Sequence, residues 1–313
     1  MEITRRDLLQ RITTGSAAIA VSGAVSAATM TGLAHAEEPA KVPPRAVGML
    51  YDATRCIGCQ TCVVACTKAN DLQPDNRRDP LHQAPGDLNY RTKTLIKLYK
   101  AADGKEFSFV KQQCMHCVDP ACVSACMFGG LKKDSKSGVV TWNGKYCVGC
   151  RYCEVACPYN IPKFQWEGFN PRIVKCELCK DRLAQGEEPA CTAVCPKKAV
   201  VFGTREELLK EAKLRIAQNP GKYFENRVFG EKEGGGTQVL YLSHVSFSAI
   251  GLPELGDESV PRKYLKWQRR LYSYLILPAG LYAVLVGSIR KNWKHHEEHM
   301  REEEQETGLR AQL

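Results

Sequence analysis

Four cysteines fall within the eleven residues 56–66 of RCIGCQTCVVAC, at Cys56, Cys59, Cys62 and Cys66, and this spacing leaves few ways for the chain to fold. Thiols so crowded cannot all find disulfide partners at the Cα separations that a disulfide requires. The first residues look like an export signal, and export leads to a compartment where free thiols are oxidised. A ligand must therefore hold these thiols, and the backbone around them is built for that ligand. The pattern recurs three times. YCVGCRYCEVAC (146–157) repeats the C-x2-C-x2-C-x3-C spacing with Cys147, Cys150, Cys153 and Cys157. QCMHCVDPACVSAC (113–126) carries Cys114, Cys117, Cys122 and Cys126, and KCELCKDRLAQGEEPACTAVC (175–195) carries Cys176, Cys179, Cys191 and Cys195, each closing with PAC-x3-C. All 16 cysteines belong to these four groups.

The spacing favours iron and sulfide. A 4Fe-4S core presents its irons at separate corners, so one tight loop reaches three while the fourth ligand arrives from elsewhere; in two-cluster ferredoxins the last Cys of one run serves the other cluster. Zinc is usually met by two separated C-x2-C pairs closing one tetrahedron. The second and fourth groups resemble that arrangement more, and the first and third do not. Four complete quartets imply four 4Fe-4S clusters, and a series of clusters implies an electron wire rather than a brace for the fold. A structural zinc-binding, membrane-anchored protein is the alternative of another class.

The net charge of +10 would ordinarily raise nucleic acid as a partner. Cysteine is neutral in that count. Four thiolates around an oxidised cube leave each site at about −2, so four sites offset most of the excess. No nucleic-acid partner is expected, and no small-molecule substrate. Lys111, Lys132, Lys133, Lys175, Lys197 and Lys198 flank the quartets and are expected to offset cluster charge. At 313 residues with 44% hydrophobic content, the chain is long and apolar enough for a folded core.

Both ends are specialised. TRRDLLQ (4–10), an apolar stretch rich in small residues (15–34) and AHA before Glu37 make a signal peptide over 1–36, and the pair Arg5–Arg6 resembles the twin-arginine class. Near the other end, residues 271–289 run without a charge, enough to span a hydrocarbon core, with Tyr264, Trp267 and Trp293 where an aromatic belt would lie. The expected organisation is a linker (37–46), a four-cluster region (47–203), an accessory helix and strand segment (204–260), a membrane anchor (261–290) and a charged tail (291–313). In the accessory segment Thr204 and Glu207 form a capping box, Leu208, Leu209, Ala212 and Ile216 an apolar stripe, and Asn219-Pro220-Gly221 a stop. GEKEGGGTQVLYL (230–242) reads as a turn or docking arm feeding a strand.

The cysteine region resembles the four-cluster ferredoxin subunit of respiratory formate dehydrogenases and dimethyl sulfoxide reductases. GMLYDATRCIGCQTC, KQQCMHCVDPACVSAC, CVGCRYCEVACPYNIPK, KCELC, VFGTREELLKEAK and GEKEGGGTQVLYL resemble more closely the iron-sulfur subunit of hydrogenase-2-type nickel-iron hydrogenases, the HybA type. The resemblance implies an α+β fold of two nested ferredoxin-like dicluster units with a loop-rich cluster-binding core, plus a C-terminal transmembrane helix. It implies that Cys56, Cys59, Cys62 and Cys195 hold one cluster and Cys176, Cys179, Cys191 and Cys66 its neighbour. Cys114, Cys117, Cys122 and Cys157 would hold a third, and Cys147, Cys150, Cys153 and Cys126 the fourth. Pro158 and Pro196 follow two of the crossing cysteines, as in the ferredoxin pattern, whereas Thr67 and Met127 follow the other two.

By the same resemblance the chain is a non-catalytic electron-transfer subunit. Its partners would be the large and small subunits of a periplasmic [NiFe] hydrogenase and an integral membrane quinone-reactive subunit. It would sit at the inner membrane with the cluster domain facing the periplasm and the tail in the cytoplasm. The same wire serving a molybdenum enzyme such as formate dehydrogenase is the main alternative. Among smaller features, His295, His296 and His299 belong to a charged, solvated helix, His116 to a surface loop unless it tunes a cluster, and Trp142 and Trp166 to the core.

Overall fold

In chain order the described elements are β1 (Val47–Asp52), α1 (Thr61–Ala69), β2 (Thr94–Lys100), β3 (Phe107–Gln113), α2 (Ala121–Ser124), β4 (Leu131–Lys133), β5 (Val140–Trp142), α3 (Tyr152–Ala156), β6 (Lys163–Phe164), β7 (Ile173–Val174), α4 (Lys180–Ala184), α5 (Ala190–Ala193), β8 (Val200–Thr204), α6 (Arg205–Gln218), β9 (Val239–Leu242) and α7 (Val260–Arg310). The computed structural model describes residues 40–73, 87–101, 106–167 and 172–310, so the expected signal peptide lies outside the described residues. The chain divides into two units, one of them Pro39–Tyr264 and the other including the chain from Leu265 onward.

The first unit is organised on β1. This strand pairs antiparallel with β8, from Val47 opposite Thr204 to Tyr51 opposite Val200, and parallel with β9, from Met49 opposite Val239 to Asp52 opposite Leu242. Side chains alternate across the sheet. Met49, Tyr51, Val239 and Tyr241 enter a core that also contains Cys114, Cys176 and Cys191. Leu50, Leu240 and Leu242 face the other way, against Leu208 and Ala212 of α6. The capping box is present at the start of α6: the Thr204 side chain accepts from the Glu207 backbone N–H and the Glu207 carboxylate accepts from that of Thr204. Burial of Leu208 and Ala212, with Leu209 and Ile216 partly buried, matches the expected stripe.

A buried ion pair fastens α6 to the sheet. Asp52 ends β1 with no solvent exposure and lies 3.2 Å from the guanidinium of Arg215, while accepting hydrogen bonds from the hydroxyls of Tyr223 at 3.2 Å and Thr54 at 2.6 Å. On the opposite face the β2–β3 hairpin is tied down by tyrosines, since Tyr51 Oη donates to the carbonyl of Phe109 at 2.7 Å and Tyr241 Oη to that of Lys111. The glycine-rich arm docks as expected: Val118 N–H donates to the Gly236 carbonyl at 2.9 Å and Gln238 N–H to that of Met115 at 3.1 Å. It thereby clamps the second cysteine loop.

The short helices pack in nested order. α1, which carries Cys62 and Cys66 of the first run, meets α5 of the fourth, and α2 of the second run meets α3 of the third. At the first and third runs helix length follows the residue after the crossing cysteine. Pro158 forces Cys157 into an extended conformation and α3 stops at Ala156, whereas Thr67 lets α1 continue through Cys66 to Ala69.

The transmembrane helix expected at 271–289 is not supported. Among the described residues no helix is long and apolar enough to cross a membrane. The uncharged run lies inside α7, a helix of 51 residues whose flanks are strongly charged, and the side chains at 271–273, 275–277 and 279 lie outside the described ones. His295, His296 and His299 are exposed on this helix, as expected.

Removing one partner of the Asp52–Arg215 pair leaves the other charge buried. Arg215→Ala is expected to lower unfolding free energy by about 3–5 kcal/mol in urea titration, whereas Lys210→Ala on the exposed face should leave the midpoint unchanged. Equal midpoints for the two variants would contradict this account of the sheet–helix contact.

Candidate iron-sulfur sites

Each C-x2-C pair bends in the same way. The residue before the second cysteine lies in the left-handed region at all four, at Gly58 (φ 70°), His116 (47°), Gly149 (71°) and Leu178 (51°). Such a bend turns successive backbone N–H groups toward one concavity, suited to sulfur and anionic charge. At Gly58 glycine is needed twice, for its φ and because a Cβ would lie 2.3 Å from the Phe109 ring. His116 and Leu178 adopt the same conformation with side chains, and both are fully buried, so packing holds them there. Backbone N–H groups reach sulfur from Leu178 to Cys176 Sγ at 3.4 Å, Leu131 to Cys126 Sγ at 3.4 Å and Ala199 to Cys195 Sγ at 3.2 Å. The Thr61 hydroxyl donates to Cys59 Sγ at 3.3 Å, and the Asn70 amide to Cys66 Sγ at 3.6 Å.

The thiols act on one another across distant runs. Burial pushes the Cys62 thiol up, and Cys56, Cys195 and Cys59 push it further. Burial likewise raises Cys66, together with Cys176, Cys191 and Cys179. Cys122 is pushed up to about 12 by burial, with Cys114, Cys157 and Cys153 adding to it, and Cys117 is raised by burial with Cys114, Cys157 and Cys122. Cys153, also pushed up to about 12 by burial, feels Cys126, Cys147 and Cys150. The last cysteine of each run thus sits in the field of a different run. Buried thiols that repel each other as thiolates accept deprotonation only around a cationic centre.

Two of these groups enclose open space. One cleft is lined by Cys56, Cys59, Cys62 and Cys195, and another by Cys126, Cys147, Cys150 and Cys153. Among the described residues, no three His, Cys, Asp or Glu converge closely enough to hold one metal ion. A cube spreads its irons over separate corners and does not need its ligands to converge on a point. Bent loops, sulfur-directed N–H donors and spread thiols fit an iron-sulfur cube better than a lone tetrahedral ion.

The flanking lysines divide into two kinds. Lys132, Lys197 and Lys198 are exposed and Lys133 half-buried. Lys111 and Lys175, at 1% and 2% exposure, lie inside the protein among the cysteines. Lys175 Nζ donates to the Cys176 carbonyl at 2.9 Å and stands 3.9 Å from Cys114 Sγ. Their place near the loops was legible in the sequence; their complete burial was not. His116 is also a correction. It is fully buried rather than on a surface loop, with Nδ1 accepting from the Val140 N–H at 3.0 Å and Nε2 without a partner. Burial, with Lys175 and Lys133 nearby, drives its pKa well down, which keeps the imidazole neutral. Trp142 is partly buried, but Trp166, expected in the core, is 69% exposed beneath the guanidinium of Arg151, 4.3 Å from its ring.

Residues 105–205, which contain the second, third and fourth cysteine groups, match the 4Fe-4S dicluster domain. The hydrogenase-2 operon protein HybA of Escherichia coli O157:H7 is 38% identical over 310 residues, covering 88% of this chain and 94% of that protein. The chain belongs to the HybA family of iron-sulfur proteins. Members of a second group are also similar. The iron-sulfur subunit of the nitrate-inducible formate dehydrogenase of Escherichia coli K12 is 35% identical over 250 residues, covering 78% of this chain and 83% of the relative. The formate dehydrogenase iron-sulfur subunit of Haemophilus influenzae is 34% identical over 203 residues, covering 63% and 64%. As a HybA-family member the chain is an iron-sulfur electron-transfer protein and not a catalytic subunit.

Gly58→Ala forces a side chain into the Phe109 ring from a left-handed backbone. It is expected to cost about 1–3 kcal/mol of stability by chemical denaturation, and an unchanged unfolding midpoint would contradict the steric reading of this loop.

Proposed function

We propose that this chain carries four 4Fe-4S clusters and conducts electrons between the large and small subunits of a [NiFe] hydrogenase and an integral membrane quinone-reactive subunit. Bound clusters supply reversible one-electron chemistry. The chain's own residues hold them in four sets: Cys56, Cys59, Cys62 with Cys195; Cys176, Cys179, Cys191 with Cys66; Cys114, Cys117, Cys122 with Cys157; and Cys147, Cys150, Cys153 with Cys126. The observation that carries this reading is the mutual action of thiols from distant runs, the last cysteine of each run lying in the field of another. That pattern supports a crossing of ligands in a nested pair of ferredoxin-like units.

The burial of Cys66, Cys114, Cys122, Cys153, Cys176 and Cys191 supports sites shielded from water and oxygen, while exposed Cys59 and Cys150 mark places where electrons could enter or leave. Met127, Phe128, Val148 and Val155 are exposed around the third group and suit contact with a redox partner. In this reading the twin-arginine signal carries the folded, loaded protein to the periplasmic side. There the cluster domain would work at the inner membrane, facing the periplasm. The similarity to formate dehydrogenase subunits favours a second reading, in which the same wire serves a molybdenum enzyme.

Anaerobically prepared protein is expected to contain about sixteen iron and sixteen acid-labile sulfide per chain, by chemical analysis; zinc without sulfide would contradict the wire. Cys150→Ala should abolish hydrogen-dependent quinone reduction while a soluble dye accepting electrons earlier in the path still turns over, and undiminished quinone reduction would remove that site from the route. Co-purification from detergent separates the two partners. Nickel-iron subunits are expected, and a molybdopterin subunit in their place would establish the second reading.

A further inference from the structure

Lys111 is an ammonium in a place where an ammonium is costly. It lies on β3 at 1% exposure, and its Nζ donates to the Thr94 hydroxyl at 2.5 Å and to the side-chain carbonyl of Gln113. Among the described residues it makes no salt bridge. A buried cation held only by two neutral oxygens should lose its proton. Lys111 lines the cleft of Cys56, Cys59, Cys62 and Cys195, and Gln113, which holds its ammonium, donates to Met49 Sδ at 3.4 Å, itself 3.9 Å from Cys191 Sγ; Cys191, Cys62 and Cys176 act on Lys111 against the pull of burial.

Those cysteines come from two sets. Cys62 belongs with Cys56, Cys59 and Cys195, whereas Cys176 and Cys191 belong with Cys66 and Cys179. Lys111 acts on Cys62, Cys66, Cys176 and Cys191 alike. The thiols farther along the chain of sites answer to another cation, because Cys114, Cys122 and Cys157 are acted on by Lys175. Cys153 feels chiefly its own set.

We propose that Lys111 is a positioning residue shared by two neighbouring iron-sulfur sites, whose fixed positive charge raises the reduction potentials of both. The inference rests on the four-cluster reading. Adding an electron to a cluster adds negative charge beside Lys111, and that charge is stabilised by a cation which no carboxylate among the described residues neutralises. Gln113 and Thr94 hold the ammonium by their oxygens, while Tyr241 fixes the backbone by donating to the Lys111 carbonyl. One side chain thereby raises two adjacent sites together, so removing its charge lowers both.

The test is a redox titration of the full-length, anaerobically purified chain followed by low-temperature electron paramagnetic resonance, with iron content measured in parallel. Lys111→Met keeps the length and removes the charge. Two of the four midpoints are expected to fall, each by at least a tenfold change in the one-electron equilibrium, or about 59 mV, while the other two stay in place. Lys111→Arg should restore the wild-type midpoints. Gln113→Glu, which sets a carboxylate against the ammonium without changing its shape, should lower the same two. Full iron content with unmoved midpoints overturns this proposal alone. Loss of iron from both the Met and Glu variants also overturns it, in favour of a purely structural lysine. Wild-type protein that takes up no iron and sulfide overturns the four-cluster reading together with it.

Discussion

Mutual repulsion among buried thiolates is the constraint on which the rest of this structure depends. The core beneath the β8–β1–β9 sheet contains Cys114, Cys176 and Cys191 among Met49, Tyr51 and Tyr241. Such a core is stable in its working form only if charge enters with the thiolates. The protein meets this with left-handed bends that aim N–H groups at sulfur, and with Lys111 and Lys175 buried where surface lysines would have no effect. The sheet, the β2–β3 hairpin and α6 serve mainly to hold those loops in register. This explains why a tyrosine hydroxyl from β1 and another from β9 both end on the backbone of β3.

In the proposed reading, crossing of ligands follows from the same constraint. A loop of four closely spaced cysteines can wrap one face of a cube, but its last thiol is carried away by the helix that contains the third. In the first run that helix is α1, which continues through Cys66 and delivers it toward Cys176, Cys179 and Cys191. The ends of the runs therefore tie separate parts of the chain together.

Much of this was legible in the sequence, because cysteine spacing is a local property with a strict geometric meaning. The capping box at Thr204 and Glu207, the buried stripe of α6 and the docking of the glycine arm are also local patterns, and each appears in the structure. What escaped depended on packing between distant segments. Lys111 looks like any lysine beside a cysteine motif until the β2–β3 hairpin closes over it. His116 lies in a loop by sequence, yet the β4–β5 hairpin buries it through the Val140 N–H. Trp166 shows the reverse, since its bulk suggested a core position and its place at a short hairpin leaves it stacked with Arg151 at the surface. The anchor at 271–289 was read from an uncharged run and its flanking aromatics, and among the described residues α7 is not apolar enough over a sufficient length to bear it out.

The central claim is that the four thiol groups hold iron-sulfur cubes close enough to form a connected row. Low-temperature electron paramagnetic resonance of the anaerobic, dithionite-reduced protein tests it most directly. A broad spectrum of magnetically interacting reduced 4Fe-4S clusters is the expected result. A colourless preparation with no paramagnetic signal after reduction, or the signal of a single isolated cluster, would contradict the account.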